Sequence, residues 1–66
     1  MTHHNFVLSE PQLNLILELL EGEQKELFIE IRHTDTANFR AGLRDRLAIV
    51  ESLIQAVQAA LQAEPV

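Results

Sequence analysis

Residues 43–61 read LRDRLAIVESLIQAVQAAL, and their large apolar positions Leu43, Leu47, Val50, Ile54, Val57 and Leu61 are spaced alternately by four and by three. That alternation averages close to one helical turn, so it draws a single stripe down one side of a helix. A half-buried strand would need every second position apolar instead. No glycine or proline interrupts the stretch after Gly42. The same grammar recurs upstream at Leu13, Leu17, Leu20, Gln24, Leu27 and Ile31, with Gln24 the one polar member. Gly22 lies mid-helix and costs about 1 kcal/mol relative to alanine, too little to stop so strongly patterned a helix. Read alone, Leu27-Phe28-Ile29-Glu30-Ile31 is β-rich and partly alternating, but no second strand is available to pair with it.

Local signals set the boundaries. Ser9-Glu10-Pro11-Gln12 opens the first helix: Ser9 can cap free N–H groups, Pro11 is tolerated in the first turn, and Gln12 sits three residues on, as a capping box requires. Leu8 and Leu13 flank the cap as a hydrophobic staple would. Helix 1 is expected over about 10–33. Thr34, Asp35 and Thr36 then offer three successive capping candidates, with Thr34 or Asp35 preferred, for a helix 2 over about 36–62. Fraying is expected near Ala63, with Pro65 marking the tail. Helices joined by so few residues must fold back antiparallel. Facing residues then have numbers summing to about 70, so Leu27 meets Leu43, Leu20 meets Val50 and Leu13 meets Val57. Gln24, the single polar residue in its stripe, is expected to fix alignment at some expense in stability.

Composition agrees with one helical domain over 1–66. The chain has 66 residues, 47% hydrophobic but only 5% aromatic, with two glycines, two prolines and no cysteine. A chain this short buries only about 60% of the surface it exposes unfolded. Without cysteine it has neither disulfides nor thiolate zinc to help, which leaves self-association, a partner or unusually good helix packing. A formal charge of −5 disfavours nucleic acid, whose phosphates need net positive patches. Met1-Thr2-His3-His4-Asn5 lacks the basic region and long apolar run of a signal peptide. The richest apolar run, Leu13 to Leu20, is far too short for a bilayer. The expectation is a cytoplasmic protein with neither nucleic acid nor membrane as partner.

These features together resemble a group of short, uncharacterised bacterial helical-hairpin proteins. They share a leucine-rich first helix, an E-I-x-x-T-D joint, an aromatic residue followed by arginine, and a leucine-patterned second helix. The matching residues are Leu19, Leu20, Glu30, Ile31, Thr34, Asp35, Phe39, Arg40, Leu43 and Leu53. The resemblance covers most of the chain and implies a helical hairpin. It carries no function with it.

Residues that could support chemistry are few. Glu30-Ile31-Arg32-His33 is an E-x-x-H, which on a helix puts carboxylate and imidazole on one face, half of a di-iron ligand set. The hairpin register sets Arg40, Asn38 and Phe39 opposite rather than further carboxylates. Glu30 and His33 are therefore only weak metal candidates, and no metal or other cofactor is expected. His3 and His4, even with His33, read as solvated. The basic cluster Arg40, Arg44 and Arg46 could clamp an anion, but the register pairs these residues with Glu30, Glu26 and Glu23, which explains the cluster without a ligand. With no cysteine or tyrosine, no serine beside a histidine and carboxylate, and no glycine-rich phosphate loop, an enzyme is not expected.

What the two seam stripes leave over is apolar. Ile16 and Leu19 flank the first stripe, and Ile49, Leu53, Ala56 and Ala60 flank the second. In an antiparallel pair these flanks share one side, giving a continuous face away from the joint that turns charged towards it at Glu23, Glu26 and Arg46. Contiguous patches of this kind mark interfaces. The expectation is an all-α antiparallel two-helix hairpin that forms a four-helix bundle as a homodimer through this face. The alternatives are a regulatory adaptor or antitoxin-like binder that docks the same face on another protein, and a metal-binding bundle using Glu30 and His33.

Overall fold

The computed structural model describes residues 2–4 and 6–63 and consists of two helices, α1 (Glu10–His33) and α2 (Ala37–Gln62), folded back on each other as an antiparallel hairpin. Leu27 to Ile31 lie within α1. Pro65 falls outside the described residues.

The start of α1 is fixed by the residues that announce it. Ser9 adopts an extended backbone as N-cap and its hydroxyl accepts from the Gln12 amide at 3.3 Å, while the Gln12 side chain accepts from the Ser9 amide at 2.8 Å. Two of the three N–H groups left free at this helix start are thus satisfied reciprocally. Pro11 sits in the first turn, where it removes no hydrogen bond.

The joint differs from the expectation that Thr34 or Asp35 caps α2. Thr34 is instead the C-cap of α1, and its hydroxyl donates back to the Glu30 carbonyl. A threonine at a helix end can satisfy a free carbonyl as readily as it caps the following helix, and here the first use excludes the second. The N-cap of α2 is Thr36, whose side chain makes no capping hydrogen bond. What secures the joint is Arg40, half-buried one turn into α2. Its Nε donates to the Thr34 carbonyl at 3.1 Å, and Nη2 donates to the same oxygen.

Between the helices lies one seam. Leu27 is 1% exposed, and Leu43, Val50 and Ile54 are buried with it, backed by half-buried Leu17, Leu20, Ile31 and Leu47. Val57 is buried and Leu13 and Leu61 half-buried nearer the open end. The core therefore joins the two stripes read from the sequence, with Leu27 and Leu43, and Leu20 and Val50, in one cluster.

Gln24 is the exception within its stripe. It lies half-buried towards one flank of the seam, where its Nε2 donates to Glu51 Oε2 at 3.1 Å. A hydrogen bond to a carboxylate is stronger than a neutral one, so Gln24 is a satisfied cross-link between helices rather than a bare polar residue in the core. Removing it alone strands a half-buried carboxylate. Gln24→Leu is therefore expected to melt no higher than the parent, whereas the pair Gln24→Leu with Glu51→Leu melts higher. The double-mutant cycle should give a coupling of about 1 kcal/mol. A rise in melting temperature for Gln24→Leu alone would show that the bond contributes nothing. Gly22 is simpler, because a Cβ there meets nothing within 4 Å and its φ is not positive. Gly22→Ala should stabilise by about 0.5–1 kcal/mol in thermal unfolding.

Candidate interaction face

One side of the hairpin carries a shallow groove of about 550 Å³ running along the line where α1 and α2 meet. Leu20 and Val50, both seam residues, contribute to its lining, with Leu19 from α1 and Ile49 and Leu53 from α2. Leu19 is 64%, Ile49 63% and Leu53 45% exposed. Helical geometry produces this arrangement. Leu19 directly precedes seam residue Leu20, and Ile49 and Leu53 directly precede Val50 and Ile54. Each sits about 100° round its helix from a seam residue, and reversing one helix brings these flanks to the same side.

Towards the joint the groove closes on an ion pair. Arg46 Nη2 lies 3.0 Å from Glu23 Oε2, with Glu23 the more buried partner. This pair was expected from the register. The companion pairs were not realised, since among the described residues Arg46–Glu23 is the only ion pair within 4 Å. Arg40 turns to the Thr34 carbonyl instead of Glu30. Arg44 lines a smaller depression with Ala37, Arg40, Ala41 and Asp45 instead of bonding Glu26. The reason is geometric: Glu30 lies on an exposed side of α1, and a bare carbonyl at the helix end offers Arg40 a nearer acceptor.

Of the six residues read as a face, Leu19, Ile49 and Leu53 gather in the groove. Ile16 is half-buried, so it exposes less apolar surface than a fully flanking position would. Ala56 and Ala60 are exposed beyond the groove, towards the open end. The sequence reading missed a second set of exposed hydrophobics: Leu15, Phe28 and Ile29 on α1, and Phe39 in the first turn of α2. The signal was available for part of it, because Leu15, Leu19, Gly22, Glu26 and Ile29 also alternate by four and three. Leu15 and Ile29 are nevertheless about 21 Å apart along the helix, with Gly22 midway, and form no continuous patch.

The other candidate chemistry stays dispersed. Glu30 and His33 are both exposed, and no group of three histidine, cysteine, aspartate or glutamate residues converges as a metal would require among the described residues. His33, with Arg32, lies in the last turn of α1, where positive charge complements the helix dipole. His3 and His4 are exposed. No helix of the described residues is long and apolar enough to cross a membrane. No protein-family model, curated protein or solved structure matches the chain.

The two uses of arginine separate experimentally. Arg40 offers two donors of one planar group to a single carbonyl, a geometry that lysine cannot reproduce. Arg40→Lys should lower stability by about 1 kcal/mol, while Arg44→Lys should fall within about 0.5 kcal/mol of the parent. Equal effects in chemical denaturation would mean that the Thr34 carbonyl does not anchor the joint.

Proposed function

We propose that the chain is a non-catalytic interaction module that works as a homodimer, two hairpins joining through the groove face into a four-helix bundle. The observation that carries this reading is the groove itself. Three large aliphatic side chains, Leu19, Ile49 and Leu53, stand between 45% and 64% exposed around one concavity that runs into the core through Leu20 and Val50.

Physical need supports the same reading. Among the described residues five buried hydrophobic side chains make up the core, few for a chain that must offset the conformational entropy of two long helices. A second layer covering the groove would turn Leu20 and Val50 from seam edge into bundle interior. The exposed alanines Ala56 and Ala60 would allow helices of the two layers to approach closely. A two-fold axis brings the same patch of each subunit together, the commonest arrangement for soluble oligomers. Catalysis has no comparable support, since the groove is lined by hydrophobic residues plus one glutamate and one arginine already paired with each other.

Light scattering tests the proposal. The expected molar mass at micromolar concentration is twice that of the 7.5 kDa chain. Leu53→Glu and Ile49→Lys should each abolish the dimer and with it much of the helical circular-dichroism signal. A fully helical, thermally stable monomer would overturn the homodimer and leave the face to a different protein.

A further inference from the structure

We infer that the flank of the hairpin opposite the groove docks an acidic segment of another protein, one that carries an apolar side chain among its carboxylates. This surface is separate from the groove and stays open when a second copy covers the groove.

The flank follows from which neighbour of each seam residue bears which charge. On α1, in the half nearer the joint, the residues directly before Gln24, Leu27 and Ile31 are Glu23, Glu26 and Glu30. Those directly after them are Lys25, Phe28 and Arg32. Each step turns about 100° round the helix, so the acids take the groove side and the other three the opposite side. On α2, Arg46 precedes Leu47, whereas Arg44 follows Leu43 and Arg40 lies one turn before Arg44. Two contacts fix the sides. Glu23 meets Arg46 on the groove flank, and Gln24 meets Glu51, which follows Val50, on the other. Four of the five lysine and arginine residues therefore share one flank with Phe28. This segregation also keeps Arg40 and Arg44 from Glu30 and Glu26, which stand on the groove flank.

Phe28 stands between Lys25 and Arg32 on α1 and is 47% exposed. Lys25, Arg32 and Arg44 are exposed, with no acidic partner within 4 Å among the described residues. Arg40 is half-buried and holds the Thr34 carbonyl. Arg40 and Arg44 border a depression of about 270 Å³ that Asp45 shares, and Asp35 lies in the joint. Gathering these cations on one flank incurs self-repulsion that no ion pair on that flank offsets. Arginine and aromatic side chains are the usual energetic centres of protein interfaces, and arginine clusters are a recurring receptor for acidic motifs.

The limits of the patch define its ligand. From Lys25 to Arg32 it spans about 10 Å of α1. Towards the open end the same flank turns acidic, because the residues following Leu17, Leu20 and Val50 are Glu18, Glu21 and Glu51. A nucleic-acid strand carries charge along its whole length and would run on into those carboxylates, against a net charge of −5 that repels it. A short acidic segment ends where the cations end, and its apolar side chain covers Phe28.

Fluorescence anisotropy with a labelled Glu-Glu-Phe-Glu-Glu peptide tests the inference. The expected result is binding at low ionic strength that weakens as salt is added, with no binding of the same peptide carrying glutamines for glutamates. Lys25→Glu combined with Arg44→Glu should weaken binding by at least about tenfold, with helical circular dichroism and molar mass unchanged. Phe28→Ala should weaken binding and leave its salt dependence intact. In heteronuclear NMR titration the shifted amides should centre on Lys25, Phe28, Arg32 and Arg44. No binding of the acidic peptide at low salt, or binding that the double reversal leaves intact, overturns the inference. Tighter binding of oligothymidylate than of the peptide assigns the patch to nucleic acid and overturns it too. Loss of a wild-type dimer in the double reversal makes this flank the self-interface and overturns it equally, whereas a monomeric wild type that binds the peptide supports it and overturns only the homodimer.

Discussion

A two-helix hairpin has a single seam, and everything else about this protein depends on how that seam is filled. Each helix can turn only one stripe towards its neighbour, so the buried apolar residues must come from positions spaced by four and three. Leu27, Leu43, Val50 and Ile54 occupy the middle of that seam, and Leu27 alone is shielded almost completely. Substitution by a smaller residue at any of them would remove both transfer energy and close contacts, with no further layer to compensate.

Apolar stripes by themselves set register weakly, because a leucine sliding one turn still meets a leucine. Three polar contacts along the hairpin remove that freedom. Arg40 reaches back to the Thr34 carbonyl at the joint, Glu23 meets Arg46 on one flank, and Gln24 meets Glu51 on the other. The exposed ion pair adds little to stability. Its value is geometric, since a slip of either helix by a turn would move Glu23 about 5 Å from Arg46. The Gln24 bond has a similar role on better-shielded ground.

Filling the seam this way leaves an apolar surplus on the flank that carries Leu19, Ile49 and Leu53. In a larger protein such residues would be covered by a third element, but the described residues form only two. Charge divides along the chain as well: all five lysine and arginine residues lie between Lys25 and Arg46 together with five of the ten acids, so the net charge of −5 comes from residues outside that stretch.

Helical spacing, the Ser9–Gln12 capping box and the apolar flanks were legible in the residues because each depends on neighbours within a turn or two. The hairpin itself followed once the joint was seen to be short. Tertiary structure alone decided the contacts whose partners lie far apart in sequence or compete for one group. Thr34 had two local uses, and the choice fell to the one that closes α1, because Arg40 from the next helix converges on the same residue. Arg40 itself left the expected Glu30 for a carbonyl that becomes available only where α1 ends. Gln24 occupies a seam position by spacing, yet a long side chain can lean to the flank, and nothing in the spacing names Glu51 as its acceptor. Periodicity fixes which side of a helix a residue occupies. Where a flexible polar side chain ends depends on which acceptors the other helix brings within reach.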